Sequence, residues 1–236
     1  MKKFNYEQIP AGYYDDIYNK KDGIQSAWHH CKFNYVKNFI NKKRNILHLD
    51  FACGPGTFSR LIKGKYYGVD ISIQQINYAK KNYSNRKNKY LNYKPPKLPF
   101  NSNFFDSVSC IELIEHLTES QANKVIKECY RVLKKDGTLY LTTPNYFSLW
   151  PLLEYLMNRF LKVNYKHQHI NKFSKKKLQR LIGAYFNKVS IRSFITFEPF
   201  LAFFSFKFSI WVMNFTNRIK IFPGMILFAQ AKKVTI

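Results

Sequence analysis

Residues 45–62, NILHLDFACGPGTFSRLI, decide the fold that this sequence predicts. Their apolar run Ile46–Phe51 predicts a buried strand, and Gly54, Pro55 and Gly56 predict a tight turn that opens a helix. Because glycine has no Cβ, a ligand can lie against the backbone of this turn, where the first N–H groups of the helix point. We therefore expect a nucleotide-binding turn.

The dinucleotide fingerprint G-x-G-x-x-G fits this turn only in part, because its third glycine would fall at Ser59. Two acids end the neighbouring apolar runs instead, Asp50 before the turn and Asp70 after the next run. Their spacing fits a right-handed β-α-β unit that carries both acids at one edge of a parallel sheet. An acid on the second strand can bind two ribose hydroxyls, and an acid beside the turn suits a cationic ligand without phosphates. NAD is therefore disfavoured.

The segment LDFACGPGTF closely matches motif I of the class I (Rossmann-like) S-adenosylmethionine-dependent methyltransferases, which this chain resembles. Within that family it looks like the bacterial methyltransferase-domain group (type 11, similar to ubiquinone-biosynthesis enzymes). The resemblance implies an α/β fold, with a Rossmann-like, seven-stranded, mostly parallel sheet, helices on both faces and an antiparallel last strand. It also implies S-adenosyl-L-methionine as the cofactor. The cofactor-binding residues that it implies are Asp50, Phe51, Ala52, Cys53, Gly54, Gly56, Asp70, Ile71 and Glu112.

A length of 236 residues suits one well-filled α/β domain. We divide it into a helical cap (1–44), a cofactor-binding core (45–143), an acceptor-side loop (144–173) and an apolar insertion (196–222). The cap contains a predicted amphipathic helix that packs its Trp and Phe face on the core. The residues that mark this face, at spacings of three and four, are Ile24, Trp28, Cys31/Lys32, Tyr35/Val36 and Phe39. His29 and His30 are expected at the surface or edge of this helix.

Residues 98–117, LPFNSNFFDSVSCIELIEHL, resemble a second block of the family. The resemblance makes residues 104–111 the central fourth strand, sets Glu112 beside the methionine part of the cofactor, and starts the next helix at Glu115-His116. The block lacks the N/D-P-P-Y/F and Pro-Cys signatures of base-methylating enzymes, which argues against a nucleic-acid base as acceptor. Just before this block the sequence departs from the family pattern. Lys94 stands where many members carry an acid that binds the adenine amino group, and a lysine cannot accept that hydrogen bond.

Two further segments, a turn and a strand, complete the predicted sheet. In the segment RVLKKDGTLYL, which resembles the RVLKPGG of the family, Gly137 is expected to take a positive φ after the helix of residues 121–134. The closing segment PGMILFAQAKK predicts a seventh strand, antiparallel and at the edge of the sheet.

Three residues are candidate general bases for a hydroxyl acceptor: His116, His169 and Glu115. His167 and His169 stand at alternate positions, so in an extended segment both rings face one side, where they can bind a metal or flank a substrate hydroxyl. Alternatively, such a histidine only holds a backbone carbonyl in a loop. We assign no metal ligands.

The formal net charge is +25, which suits nucleic acid or an anionic membrane surface, although an AT-rich genome would also enrich lysine. Residues 194–215 are strongly apolar, and between Pro199 and Asn214 only Lys207 is charged. This run is shorter than the roughly 20 residues that cross a bilayer. It is either a buried insertion, a lid over an apolar acceptor, or an interfacial helix on anionic lipid.

The four cysteines show no zinc or disulfide spacing, and no apolar signal segment follows the two initial lysines. We therefore expect a cytoplasmic protein that is peripheral to the inner face of the membrane. The expected activity is methyl transfer to a small-molecule, glycan or lipid-linked acceptor, at oxygen. An RNA methyltransferase and a non-catalytic cofactor-binding protein stay open as alternatives, with nucleic acid the less favoured partner.

Overall fold

The structure is a computed structural model that describes residues 9–42, 45–95, 97–160, 168–216 and 223–234. Seven strands form one sheet in the order β3-β2-β1-β4-β5-β7-β6, which confirms the predicted fold class. The strands are β1 Ile46–Phe51, β2 Gly64–Asp70, β3 Asn88–Asn92, β4 Phe105–Ile111, β5 Leu133–Pro144, β6 Lys188–Phe194 and β7 Ile226–Lys232. The helices are α1 Tyr13–Lys20, α2 Gly23–Ile40, α3 Ile73–Tyr83, α4 Glu119–Val132, α5 Trp150–Phe160, α6 Lys175–Gly183 and α7 Phe206–Thr216.

The chain contacts divide into two compact units, which we describe separately. The first unit comprises residues 9–93 and 195–216, and the second comprises residues 94–194 and 224–234. In the first unit β1 pairs in parallel with β2, and β2 in parallel with β3. Leu49, Tyr66 and Val69 are fully buried in this part of the sheet, as apolar strands covered by helices require.

The predicted core face of α2 is confirmed in its middle, where Cys31, Lys32, Tyr35 and Val36 are buried, but not for its largest members. Ile24 is 38% exposed, and Trp28 and Phe39 are only half-buried. The fully buried positions of α2 are the smaller residues Ala27, Cys31 and Val36, which let the helix approach its neighbours closely. The surface position expected for His30 is wrong as well, because its ring is stacked on Tyr18 at 3.8 Å and its Nε2 lies 2.8 Å from the Tyr18 carbonyl oxygen.

The second unit joins β4 and β5 in parallel and sets β7 antiparallel to both β5 and β6. The antiparallel last strand is thus confirmed, but its expected edge position is wrong. Strand β7 is buried along most of its length, whereas β6 exposes alternate polar residues and forms the edge. An edge strand tolerates such polar positions because only one neighbour pairs with it.

The turn expected at Asp136-Gly137 lies inside β5, where the register with β4 shifts, and it uses a different residue from the expected one. Asp136, not Gly137, takes the positive φ, at 61°. A Cβ on Gly137 would lie 2.8 Å from the Lys134 carbonyl oxygen, so glycine is needed there for space. Aspartate tolerates the left-handed region better than most residues. The predicted helix of residues 121–134 begins earlier, at Glu119, because Thr118 and Gln121 form a capping box.

We predict that Gly224→Ala lowers the free energy of unfolding by about 2–4 kcal/mol, because the new Cβ would meet backbone. The position of that Cβ is only 2.3 Å from the Phe194 carbonyl oxygen. A Cβ on Gly183, at the end of α6, would meet no atom within 4 Å, so Gly183→Ala is the control and is expected to be neutral or stabilising. Urea unfolding of both variants checks this, and equal stabilities would contradict it.

Candidate functional site

The turn after β1 is held in an unusual backbone conformation. Ala52, Gly54 and Gly56 all have positive φ, at 65°, 53° and 81°. The N–H groups of Ala52 and Cys53 donate to the Val69 carbonyl oxygen at 2.8 and 3.1 Å, which ties the turn to the end of β2. Of these three residues only Ala52 is strained, because glycine adopts positive φ freely, and such strain is concentrated at ligand-binding positions.

The two glycines of the turn have different surroundings, one open and one packed. A Cβ on Gly54 would meet nothing within 4 Å, so this residue borders open space. A Cβ on Gly56 would lie 2.8 Å from the Tyr90 ring and 2.9 Å from Ala79 Cβ, so that glycine is required for packing. Gly54 is therefore the position at which a ligand can reach the backbone.

The helix expected after the turn is a short 3-10 helix, Thr57–Leu61. Its N–H groups are not all directed at a ligand, because Ser59 N donates to the Gly56 carbonyl oxygen at 3.0 Å. Ser59, at the third place of the dinucleotide fingerprint, is buried and accepts a hydrogen bond from the Tyr90 hydroxyl at 2.7 Å. A side chain fixed inside the protein thus stands where a dinucleotide site would have glycine.

The acid at the end of β2 fastens the glycine turn. Asp70 Oδ2 accepts from Gly54 N–H and Oδ1 from Ser72 N–H, both at 2.9 Å. Burial raises the pKa of Asp70, and these backbone hydrogen bonds counteract part of that rise. A carboxylate has about four acceptor sites, so these two bonds leave it capacity for ribose hydroxyls. The adjacent Ile71 side chain is 59% exposed, as expected for an apolar surface under a base.

The acid before the turn is more deeply buried. Asp50 is 3% exposed, and its Oδ2 accepts a 2.6 Å hydrogen bond from the Tyr66 hydroxyl. Burial, with the nearby negative charge of Asp50, raises the pKa of Tyr66 well above its ordinary value, so this tyrosine stays a donor. Of the remaining expected cofactor residues in this unit, Phe51 and Cys53 are buried in the core.

One residue in this region escaped the sequence analysis. Asp15 of α1 is 2% exposed and accepts from the Thr57 hydroxyl at 2.7 Å, just after the glycine turn. Its other oxygen accepts from the hydroxyls of Tyr78 and Tyr83 on α3, at 3.0 and 2.5 Å. Asp15 therefore ties α1, the turn and α3 together. The only sequence signal was an acid inside the aromatic run YYDDIY.

We predict that Asp15→Ala lowers the free energy of unfolding by about 2–4 kcal/mol, because the buried Thr57 hydroxyl and two half-buried tyrosine hydroxyls lose their acceptor. The adjacent Asp16 is exposed, so Asp16→Ala is the matched control and is expected to change stability by less than about 0.5 kcal/mol. Thermal unfolding of both variants is the measurement. A similar loss for the two would show that the Asp15 contacts contribute little.

In the second unit, Glu112 directly follows β4 with a positive φ of 51°, and its N–H donates to the Thr142 carbonyl oxygen at 3.1 Å. Glu115 and His116 do not begin the next helix as expected. They lie in a separate 3-10 turn, Ile114–His116, because Thr118 caps α4 from its own position further along the chain.

His169 is buried against a carboxylate. It is 6% exposed, and its Nδ1 lies 3.0 Å from Glu154 Oε1 and 3.1 Å from the Tyr146 hydroxyl. That hydroxyl also donates to Glu154, at 2.9 Å. Burial tends to raise the pKa of Glu154, but the hydrogen bonds from His169 and Tyr146 lower it below its ordinary value. Glu154 and Tyr146 were missed, although Glu154 is the single acid in the apolar helix α5.

The three candidate bases come together around this pair. His116 lies with its ring centre 5.0 Å from that of His169, and its Nδ1 is 3.0 Å from the Gln168 carbonyl oxygen. Glu115 is 1% exposed and accepts from the Thr143 hydroxyl at 2.9 Å. His167 lies outside the described residues.

This arrangement has two chemical uses. One ligand atom from each of Glu115, His116 and His169 lies within 4.8 Å of the others, a spacing from which small side-chain rotations could bring them onto one metal ion. Alternatively, a hydrogen bond from Nδ1–H of His169 to Glu154 would place the lone pair on Nε2, as in a histidine that accepts a proton.

Comparisons with known proteins agree with this geometry. Residues 49–141 match a family model described as a methyltransferase domain. A ubiquinone biosynthesis O-methyltransferase of Coxiella burnetii is 29% identical over 120 residues, which cover 48% of this chain and 50% of that protein. An uncharacterized protein of Methanocaldococcus jannaschii is 34% identical over 139 residues, which cover 58% and 56% of the two chains.

The fold has close solved counterparts. A SAM-dependent methyltransferase of Thermotoga maritima superposes with a TM-score of 0.66 at 19% identity, covering 93% of this chain and 94% of that one. At this identity the likeness shows the fold. The chain spans about half the length of the curated relatives that it matches.

Proposed function

We propose that this protein is an S-adenosylmethionine-dependent methyltransferase that acts on a hydroxyl oxygen, because residues 49–141 match a methyltransferase-domain model and the sheet has the order of that fold. The observation that carries the proposal is the turn at Gly54, which is open to a ligand and fastened by the Asp70 carboxylate. The hydroxyl acceptor rests on the O-methyltransferase relatives and on the buried histidine–carboxylate pair.

The residues of the turn fit S-adenosyl-L-methionine. Gly54 leaves room beside its backbone, Asp70 has acceptor capacity for ribose hydroxyls, and Ile71 presents an exposed apolar side chain to a base. Neither Asp50 nor Asp70 suits phosphate groups, because each would repel them. When bound, the cofactor supplies a methyl group that its sulfonium already activates.

The cluster of Glu154, His169, His116 and Glu115 would remove the proton from the acceptor hydroxyl. Glu154 fixes the ring of His169 through Nδ1, so the acceptor proton is taken at Nε2. His116 and Glu115 are the other candidates for this role. The negative charge of Glu154 stabilises the imidazolium that forms, as a carboxylate does in other histidine pairs.

We predict that the protein binds S-adenosylhomocysteine and that Gly54→Ala weakens this binding about tenfold or more, because the methyl occupies ligand space and strains the positive φ. Calorimetric titration measures the dissociation constants. Gly183→Ala serves as the control, since its Cβ also meets nothing within 4 Å. Uptake of NAD in place of S-adenosylhomocysteine would overturn the proposed function, as would unchanged affinity in Gly54→Ala.

The acceptor is best sought with a panel of phenolic, glycan and lipid-linked hydroxyl compounds and a cofactor that carries a radiolabelled methyl group. We predict that His169→Asn lowers kcat on the accepted compound about 10²–10⁴-fold and leaves cofactor binding unchanged. His29→Asn is the matched control, because His29 lies in α2 of the other unit. Retained turnover in His169→Asn would assign the proton transfer elsewhere, and cofactor binding without turnover on any acceptor would favour a non-catalytic protein.

We further propose that the protein works in the cytoplasm, beside the inner face of the membrane, where a lipid-linked or glycan acceptor would be presented. The cysteine spacing, which lacks the pattern of a disulfide framework, supports a reducing compartment. Among the described residues, no helix combines the length and the apolar character needed to cross a bilayer.

A further inference from the structure

The segment between β6 and β7 begins as a small folded module on α2. It contains a 3-10 helix, Glu198–Phe203, followed by α7. The Glu198 side chain is 2% exposed. Its carboxylate joins the two ends of the module, because it accepts hydrogen bonds from Thr196 N–H and from the Thr216 hydroxyl, both at 2.5 Å. The Glu198 carbonyl oxygen also accepts from the Ser209 hydroxyl at 2.6 Å. Buried hydrogen bonds within the module therefore hold its two helices together.

Helix α7 buries the face that lacks its largest apolar side chains. Ser209 and Met213 are at most 1% exposed, and the ring of Phe206 packs edge-on against His30 of α2 at 5.1 Å. The residues that anchor α7 therefore include a serine and a methionine. Its largest apolar side chains are not among them.

Those large side chains point outward and form what we call the aromatic stripe. Its members are Phe203, Phe204, Phe208, Trp211 and Phe215, which are 77%, 83%, 48%, 64% and 54% exposed. On α7 the stripe repeats at three and four residues, so its rings share one helical face. Phe208 is stacked on Trp211 at 5.9 Å, and Trp211 on Phe215 at 6.4 Å. A helix that packs inward would carry these residues on its other face.

The charge around the stripe has one sign. Residues 199–223 contain three basic residues, Lys207, Arg218 and Lys220, and no acidic residue. Lys207 is exposed on α7 itself, within the stripe. The whole chain has a net charge of +25. Aromatic rings with basic neighbours are typical of segments that lie in the headgroup region of anionic membranes.

We propose that the aromatic stripe is a membrane-docking surface that inserts its rings among the headgroups of an anionic lipid bilayer while Lys207 contacts the phosphates. This inference deepens the proposed location of the protein and does not require methyl transfer. The preformed module lowers the ordering cost of binding, because its helices do not have to fold on the membrane.

Flotation of the full chain with vesicles tests the docking surface. We expect the protein to float with vesicles of phosphatidylcholine and phosphatidylglycerol, to float less with pure phosphatidylcholine, and to be released by salt. The double variant Phe204→Ser/Trp211→Ser should lose at least about tenfold in lipid partitioning, since two exposed rings no longer insert. Phe147→Ser, which removes an 81% exposed ring from the second unit, is the matched control and should float like the wild type.

Trp211 provides a second measurement, because it is the exposed one of the three tryptophans. Its fluorescence emission should shift to shorter wavelength when phosphatidylglycerol vesicles are added, and Trp211→Phe should lose that shift while it keeps most of the flotation. Circular dichroism confirms that each variant is folded.

Three results would overturn the inference: a wild type that stays with the soluble fraction, a double variant that floats unchanged, or a stripe that pairs two copies of the chain in light scattering without binding lipid. Binding of S-adenosylhomocysteine is measured on the same samples. Failure of flotation with intact cofactor binding rejects only the docking surface, whereas flotation without cofactor binding rejects only the methyltransferase.

Discussion

A carboxylate that is buried away from water must accept hydrogen bonds from the groups around it. In this protein such hydrogen bonds fix the conformation of the loops. Asp15 gathers hydroxyls from the turn and from α3, Asp70 holds the N–H of Gly54, and Glu198 clasps the module that carries α7. In the second unit Glu154 orients His169. Each carboxylate joins segments that are distant or irregular, where a backbone ladder cannot form. The loops beside the candidate sites are therefore fixed by single side chains.

Periodicity predicted most of the fold because strands and helices repeat their contacts along the chain. The runs that became β1 and β4 are buried on most of their residues, which is the pattern of a covered parallel sheet. The prediction failed where the choice depends on a tertiary neighbour. In α2 the Trp28 and Phe39 rings are only half-buried whereas Ala27, outside the predicted face, is fully buried, and β7 lies inside the sheet because β6 pairs with its outer side. Neither neighbour is visible in a local pattern.

The candidate sites divide in the same way. The glycine turn is a local feature with its own spacing, so the sequence predicted its position, although only the structure separates the open Gly54 from the packed Gly56. The cluster of His116, His169 and Glu115 was assembled from residues chosen one at a time for their chemistry. Glu154 and Tyr146, which hold His169, come from the intervening segment, and nothing in their sequence context pairs them with a histidine. Side-chain partners that a loop brings together in the folded chain cannot be predicted from their spacing in the sequence.

The same burial of acids bears on the origin of the positive charge. A lysine-rich composition can follow from an AT-rich genome, but codon usage does not decide which side chains enter the interior. The sequence has 14 acidic residues. Among the described residues five are buried, and a single lysine is buried with them: Asp15, Asp50, Glu115, Glu154, Glu198 and Lys32. Because more acidic than basic side chains are buried, the surface is more basic than the composition alone indicates, whatever enriched the lysines.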